Sequence, residues 1–261
     1  MKQLIAHDRE IHLLTGHVSA GKSTYFRFLS ELPAYQGPKV FKTSTDTVRV
    51  WHYANRISPP AQDNALGHLA LYKALTPWET CVYNDELLYV DAERAILVDQ
   101  ADRVLLDTVV RSRTLHQRKL VDMVKRVRHG VCQIEKELAT KRGMLPPNPP
   151  SQVNLRVVLL FCDFETARRR MLARFEHTVK EEEALIPLAE SILPFETPVA
   201  YPFFAVNTSD ESPAATKKRR QEIMNFLAGR ITDEALMAKR REEAKQCIAA
   251  SKRAARKWLK K

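Results

Sequence analysis

Two glycines, a lysine and a serine near the start of the chain have a spacing that suits the binding of phosphate groups. They belong to the run Gly16–Ser23, which reads Gly, four residues, Gly, Lys, Ser. Glycines permit backbone conformations that turn successive N–H groups toward an anion, and a following helix adds its positive end. In such a loop the lysine contacts the β- and γ-phosphates of a nucleotide, and the serine hydroxyl ligates Mg²⁺.

This loop is predicted to bind ATP and Mg²⁺. An accidental match is the alternative, but an apolar run (Ile11–Thr15) precedes the loop and a helical spacing (Ser23–Leu32) follows it, as the motif requires. Lys22 is also expected to be catalytic and Ser23 to ligate the metal. The predicted nucleotide-binding residues are Gly16, His17, Val18, Ser19, Ala20, Gly21, Lys22, Ser23 and Thr24.

A second group of candidate catalytic residues follows the next predicted strand. Asp46 comes shortly after the apolar run Lys39–Thr43, at the strand end where open α/β sheets bind ligands. Its carboxylate could accept the proton of an acceptor hydroxyl, and Arg49 could orient or neutralise the acceptor. The structural alternative is that Asp46 caps a helix beginning at Thr47, with Arg49 on a solvated face.

A third candidate stands at the end of another apolar run. Asp107 closes the segment Arg103–Thr108, which resembles the strand that supplies a magnesium-binding aspartate in nucleotide-binding proteins. We expect this carboxylate to hold Mg²⁺ through water or to contact the acceptor, with Thr108 and Arg111 as weaker candidates. An ordinary aspartate at a strand end is the alternative.

Arginines on a later helix are candidates for stabilising the transferred phosphate. Arg170 and Arg174 are four residues apart and therefore share one helix face. Phosphoryl transfer needs positive charge over the transferring group, so we assign a lid role to these two before Arg168 and Arg169. A solvated basic face is the alternative.

Apolar runs and helical spacings alternate along the chain, which predicts a three-layer α/β/α fold of the P-loop NTPase class with a mainly parallel sheet. Gly143–Gln152 is rich in proline and is predicted to be an exposed connection. The predicted strands are Ile11–Thr15, Lys39–Thr43, Val104–Leu106 with Val109 and Val110, Leu155–Cys162 and Phe203–Val206. The predicted helices are 23–32, 47–57, 66–75, 91–101, 114–141 and 164–183.

The order of these features resembles small P-loop kinases, and in layout the polynucleotide 5′-hydroxyl kinases, the zeta toxins and the chloramphenicol phosphotransferases. The similar part covers about residues 10–210, from GHVSAGKST through Leu106-Asp107-Thr108 to the arginine-rich helix. The resemblance implies that Lys22 and Ser23 bind ATP and Mg²⁺, that Asp46 is the acceptor base, and that Arg49 lies at the acceptor.

Positive charge is concentrated at the end of the chain. The formal net charge is +11, and residues 217–261 hold 15 of the 42 lysines and arginines but only 5 of the 31 acidic residues. We therefore expect a kinase-like domain over 1–216 and a basic helical tail over 217–261. From Thr232 onward, with Thr232 as its cap, the tail is expected to form a loosely attached helix. The tail could contact nucleic acid phosphates, remain a solvated or partner-binding helix, or meet an anionic membrane surface.

Composition excludes several classes of protein. A chain of 261 residues with 44% hydrophobic residues can bury a core and is not intrinsically disordered. It contains no apolar run of the roughly 18 to 20 residues that a membrane span needs. Four scattered cysteines suggest reduced thiols and a cytoplasmic location.

Together these features predict an ATP- and Mg²⁺-dependent phosphotransferase that moves the γ-phosphate of ATP to a hydroxyl acceptor. The acceptor would be a polynucleotide 5′-OH or a nucleotide-like small molecule. Two alternatives remain open: a regulatory ATPase that binds nucleic acid or a partner when it binds nucleotide, and a nucleoside or nucleotide kinase.

Overall fold

The computed structural model describes residues 2–44, 88–108, 115–174, 181–193, 195, 197 and 203–260. The strands within these ranges are β1 (Arg9–Gly16), β2 (Val40–Ser44), β3 (Arg103–Thr108), β4 (Val153–Phe161) and β5 (Phe203–Asn207). They form one sheet in the order β2-β3-β1-β4-β5. Within the described residues, the five predicted strands are confirmed to within a few residues at their ends.

The helices within the described residues are α1 (Lys22–Glu31), α2 (88–97), α3 (Leu115–Lys141), α4 (Phe164–Arg174), α5 (Glu181–Ile192), α6 (Pro213–Leu227) and α7 (Glu234–Trp258). A mainly parallel sheet with helices between its strands confirms the predicted α/β fold, including a basic helix at the C-terminal end. None of the described helices combines the length and the apolar character that a membrane span requires.

Some predicted elements cannot be compared with the structure. The helices predicted at 47–57 and 66–75 lie outside the described residues, as do Val109 and Val110. The helix predicted over 164–183 corresponds to α4, which ends at Arg174, and to the start of α5 at Glu181. In the proline-rich connection, Leu145 is half-exposed and pairs with the N-terminal segment, since its N–H donates to Lys2 O at 2.9 Å.

One compact unit comprises Met1–Ile11, Pro33–Asp107 and Arg118–Leu155. In it β2 and β3 run parallel, with Ser44 opposite Asp107 at their carboxyl ends. At the amino ends, Arg9 Nη1 donates to Asp102 Oδ1 at 2.8 Å. Parallel strands end at the same edge of a sheet, so Ser44 and Asp107 share that edge.

The second compact unit comprises His12–Leu32, Thr108–Gln117 and Arg156–Lys261. Here β4 and β5 run parallel, with Phe161 opposite Asn207. Their apolar side chains are almost fully buried, which explains the continuous hydrophobic runs seen in the sequence. Phe226 of α6 stacks on Phe204 of β5 with ring centroids 5.2 Å apart, so α6 is part of this core.

The C-terminal helix packs more firmly than its sequence suggests. Helix α7 contacts β5, α4 and α5, and its buried residues are Met237, Ala244, Ile248, Ser251 and Ala255. The expectation of a loosely attached tail is therefore wrong, because small side chains allow a helix to approach its neighbours closely.

The N-terminal cap of α7 is Asp233 rather than Thr232, since the Asp233 Oδ1 accepts the N–H of Ala235 at 2.9 Å. Residue 217 lies within α6, and the division at 216/217 stays a prediction.

Candidate active site

The loop predicted to bind phosphate, Gly16–Ser23, is called the phosphate loop below. It connects β1 to α1, as predicted. Strand β1 ends at Gly16, and α1 begins at Lys22, directly after Gly21 at φ +89°. A Cβ at Gly16 would lie 2.2 Å from Leu160 O, and a Cβ at Gly21 would have to adopt a left-handed conformation that costs energy. Both glycines are thus required by the path of the backbone. Ser19 also has a positive φ, of 63°, without being glycine.

Lys22 is held inside this loop. Its side chain is buried, and Nζ donates to His17 O at 2.9 Å. The same carbonyl accepts the N–H of Ala20 at 3.2 Å. Ser23 and Thr24, in the first turn of α1, are exposed. A cation therefore lies within the loop, and the adjacent hydroxyls are accessible to solvent.

The His17 side chain is buried within the loop and is neutral. Its Nδ1 lies 2.7 Å from Val18 O and its Nε2 3.2 Å from Cys162 N, so the Nδ1–H tautomer donates to the first and accepts from the second. Its ring meets Phe195 edge-on, with centroids 5.6 Å apart. Burial lowers the pKa of His17 to about 4, and the nearby cations of Lys22 and Arg170 lower it further, so the ring adds no charge at neutral pH.

Acid is expected to destabilise the protein through His17. Its pKa is about 4 in the fold against 6.5 in the free side chain. Between those values the unfolded chain takes up a proton that the folded chain does not. The free energy of unfolding should therefore fall by about 3 kcal/mol as the pH drops from 6.5 to 4, with no further contribution from His17 below pH 4. Urea denaturation at a series of pH values measures this.

The matched variants for that measurement are His17→Gln and His129→Gln. Glutamine does not titrate, so the first variant should show a flatter dependence of the unfolding free energy on pH. His129 is exposed on α3, and its replacement should leave the dependence unchanged. An unchanged slope in His17→Gln would show that the buried ring does not stay neutral in the fold.

Arg170 contacts the loop from α4. Its Nη1 lies 3.1 Å from both Ser19 O and Thr208 Oγ1, its Nη2 donates to Thr208 O, and its Nε donates to Glu211 Oε1 at 2.9 Å. The Thr208 hydroxyl lies 3.0 Å from Ala20 O. Hydrogen bonding by Arg170 lowers the pKa of Glu211, which keeps that carboxylate charged. The predicted lid arginine is thus engaged with protein groups in this structure.

The other predicted arginines of α4 differ in position. Arg168 pairs with Glu165 at 3.2 Å, and Arg169 pairs with Glu211 on the exposed side of the helix. Arg174 is the last residue of α4, and its side chain lies outside the described part of the structure. The lid roles of Arg170 and Arg174 stay predictions.

On the acceptor side, the structure describes Asp107 but not Asp46, Arg49 or Arg111, which lie outside the described residues. Asp107 is buried at the end of β3, and Thr108 after it is buried as well. Strand β2 ends at Ser44, two residues before Asp46 and opposite Asp107. Of the two aspartates the structure therefore locates Asp107 alone, at the carboxyl end of β3 opposite Ser44.

The predicted metal ligands have suitable chemistry. A serine hydroxyl and an aspartate carboxylate are hard oxygen donors, and Mg²⁺ commonly takes only one or two protein ligands besides phosphate oxygens and water. Among the described residues no group of three or more His, Cys, Asp and Glu side chains could hold a metal ion. Each of the two side chains thus has the chemistry of a Mg²⁺ ligand, and the assignment of Ser23 and Asp107 to one metal ion stays a prediction.

Thr208 and Glu211 are not predicted from the sequence, and Arg219 differs from its expected position. Arg219 belongs to the basic run Lys217–Arg220 of the tail that could contact phosphates. It is buried instead, with Nε donating to Tyr25 Oη at 2.9 Å and Nη1 to Asn207 O at 3.3 Å. A run of four basic residues gives no sign of which one turns inward. Thr208 did carry a signal, because it follows the carboxyl end of β5, the edge where such sheets bind ligands.

Comparisons with known proteins give a fold and no family. No family model matches the sequence, and no curated protein matches it. The crystal structure of APE1195 matches with 13% identity and a TM-score of 0.50, covering 86% of this chain and 99% of that one. An APS kinase from Mycobacterium tuberculosis, in complex with AMPPNP and APS, matches with 12% identity and a TM-score of 0.49 over 86% of this chain and 99% of that one.

A third solved structure is Kti12 from Chaetomium thermophilum in complex with ADP-AlF3. It matches with 17% identity and a TM-score of 0.46, covering 84% of this chain and all of that one (100%). At 13% identity the likeness to APE1195 shows a shared fold and nothing about activity. The activity must therefore be argued from the residues of this chain.

Proposed function

We propose that this protein is an ATP- and Mg²⁺-dependent phosphotransferase that moves the γ-phosphate of ATP to a hydroxyl acceptor. The observation that carries the proposal is the loop between β1 and α1, with Gly16 and Gly21 at backbone positions that require glycine and Lys22 buried within it. A loop of backbone N–H groups at a helix N-terminus, together with an internal cation, is suited to polyphosphate.

In the proposed reaction the bond between the γ-phosphorus and the β–γ bridging oxygen breaks, and a bond to the acceptor oxygen forms. ADP leaves, and the acceptor hydroxyl loses its proton. Lys22 would bind the β- and γ-phosphates and offset the charge that develops between them. Ser23 and Asp107 would hold Mg²⁺, which when bound neutralises phosphate charge.

Asp46 is proposed to take the acceptor's proton, and Arg49 to bind or orient the acceptor. The support is the sequence together with the end of β2 at Ser44, next to the end of β3. An aspartate just beyond a strand's carboxyl end stands at the ligand-binding edge of such a sheet. Its carboxylate can then accept the proton while the acceptor oxygen attacks phosphorus.

The acceptor class that we favour is a polynucleotide 5′-OH, because of the charge on α7. Residues 246–260 include five lysines and arginines and no acidic residue. The first part of the helix is balanced by ion pairs such as Arg241–Glu234 at 3.3 Å. Arg253, Arg256 and Lys257 are exposed in the second part. A cationic helix face of this kind attracts phosphate backbones without reading sequence.

Replacing Arg253, Arg256 and Lys257 together by glutamine is expected to weaken the binding of a single-stranded oligonucleotide. The slope of log K against log salt should become shallower by about 2, because each lost phosphate contact contributes about 0.7 for single strands. Fluorescence anisotropy at several salt concentrations measures both quantities. Deleting the whole tail would be a poorer test, since α7 buries core residues such as Met237 and Ile248.

The control for this variant is Lys239→Gln with Lys245→Gln, two exposed lysines in the part of the same helix that also carries acidic residues. It should change the salt slope much less. If the triple variant binds the oligonucleotide as tightly as the wild type, the polynucleotide proposal is wrong. If the triple variant loses affinity only for vesicles of anionic lipid, the cationic face of α7 binds a membrane surface and not a polynucleotide.

A second candidate function is a regulatory ATPase that binds nucleic acid or a partner through α7, and a nucleoside or nucleotide kinase is the third. One experiment separates them: labelled ATP with a panel of oligonucleotides bearing free 5′-OH groups, nucleosides, nucleoside monophosphates, nucleotide sugars and protein extract. Label on oligonucleotides supports the favoured acceptor, and label on nucleosides or monophosphates supports the third function. Release of phosphate without any labelled acceptor supports the ATPase.

A further inference from the structure

We infer that Arg170 and Thr208 form a latch that fixes the direction of the phosphate loop's amides, an inference that rests on the proposed function. The latch consists of two hydrogen bonds to loop carbonyls. Arg170 Nη1 donates to Ser19 O at 3.1 Å, and the Thr208 hydroxyl donates to Ala20 O at 3.0 Å. Arg170 Nη1 also lies 3.1 Å from Thr208 Oγ1, so the two side chains hold each other.

The geometry of the peptide bond turns these contacts into control of the N–H groups. In a trans peptide the C=O and the following N–H point in opposite directions. A Ser19 carbonyl held by Arg170 therefore turns the Ala20 N–H away from that arginine, and this N–H donates to His17 O at 3.2 Å within the loop. An Ala20 carbonyl held by Thr208 likewise turns the Gly21 N–H to the side of the loop away from Thr208. The Gly21 amide, fixed in this direction, can donate to an anion.

The loop needs such support because its backbone is unfavourable at Ser19. A φ of 63° brings the Cβ of a non-glycine residue close to its own backbone, and such conformations persist where surrounding contacts impose them. The carbonyl that Arg170 holds belongs to this same residue. The hydrogen bond from Arg170 therefore acts at the position where the loop would otherwise relax.

The two latch side chains are themselves fixed in place. Thr208 is buried, and its N–H donates to Phe161 O at 2.8 Å at the end of β4. Glu211 accepts from Arg170 Nε at 2.9 Å and so holds the guanidinium in the plane that reaches the loop. Arg170 and Thr208 are accordingly positioning residues, which act on the nucleotide through the loop.

The competing role for Arg170 is direct contact with the γ-phosphate as a lid residue, and ADP separates the two roles because it lacks that phosphate. The latch supports the loop that holds the β-phosphate as well. Arg170→Ala and Thr208→Val are each expected to weaken both ADP and ATP binding by about tenfold, the usual effect of losing one hydrogen bond in this setting. The double variant should lose less than the product of the two effects, because the side chains share one network.

The measurement is calorimetric titration of the full-length protein with ADP and with ATP, alongside thermal unfolding of each variant. The matched control is Arg168→Ala, an arginine of the same helix paired with Glu165, which should bind both nucleotides as the wild type does. Thr208→Ser keeps the hydroxyl and should restore affinity, so a folding defect in Thr208→Val does not decide the result.

Three other results of these titrations each lead to one conclusion. If Arg170→Ala binds ADP normally and loses only ATP affinity or turnover, Arg170 is a lid residue and the latch is wrong. If both variants bind ADP and ATP as the wild type does, the latch is wrong while the proposed function stands. If the wild type itself binds neither nucleotide, the proposed function fails and the latch fails with it.

Discussion

Replacing Lys22 by alanine is expected to lower the rate of phosphoryl transfer by about 10²–10³-fold, the effect of removing one preorganised electrostatic contact from a transition state. The expected loss follows from the position of the Lys22 side chain. Nζ lies inside the phosphate loop, 2.9 Å from His17 O, and the side chain is buried, so the charge is already desolvated before a nucleotide arrives. A buried cation interacts more strongly with phosphate than a solvated one. Steady-state transfer from labelled ATP measures the loss.

The control for Lys22→Ala is Arg27→Ala, which removes an exposed cation from the same helix and should leave the rate within about twofold of the wild type. Lys22→Met is a second variant that keeps most of the aliphatic chain and so preserves packing in the loop. If both Lys22 variants transfer phosphate at the wild-type rate, the loop is not the site of the reaction.

Asp46→Asn is expected to lower turnover by about 10²–10⁴-fold while nucleotide affinity stays close to that of the wild type. Asparagine has nearly the same shape as aspartate but cannot take the acceptor's proton. The expectation rests on the position of Asp46 in the sequence, two residues after Ser44, which lies opposite Asp107. Single-turnover transfer to the best acceptor of the panel, compared with ATP binding by the same variant, separates chemistry from binding.

A matched control is Asp122→Asn, which makes the same chemical change on the exposed face of α3 and should leave turnover unaltered. Full activity in Asp46→Asn would show that another group accepts the proton. Loss of ATP binding in Asp46→Asn would show that the carboxylate belongs to the nucleotide site and not to the acceptor side.

The order of strands and helices was predictable because it depends on local patterns. The run Leu155–Cys162 is apolar at nearly every position, and such a run between helices becomes a strand covered on both faces. It corresponds to β4 with a shift of one or two residues. The phosphate loop was predictable for a similar reason, since its glycines and lysine are adjacent in sequence and their spacing encodes the backbone path.

Contacts between distant segments were not predictable. Arg170 and Thr208 are 38 residues apart and meet only because α4 and the end of β5 flank the same loop. The same holds for His17 and Cys162, which are 145 residues apart. Side-chain pairs of this kind leave no trace in periodicity or composition, so only the folded arrangement reveals them.

The tail shows where composition misleads. By composition its basic residues form one group that could contact phosphates, but the fold divides them. Arg219 is buried against Tyr25, and the guanidinium of Arg220 lies 4.6 Å from the centre of the Phe28 ring, whereas Arg253 and Arg256 are exposed. Charge counts do not distinguish an arginine that packs against aromatic rings from one in solvent.

The proposed function requires a triphosphate to bind at the loop between β1 and α1, and calorimetric titration of the protein with ATP and Mg²⁺ tests this most directly. We expect one site with a Kd between about 1 μM and 1 mM, weakened at least tenfold in Lys22→Ala. Absence of any heat of binding in the wild type, or equal affinity in wild type and Lys22→Ala, would contradict it.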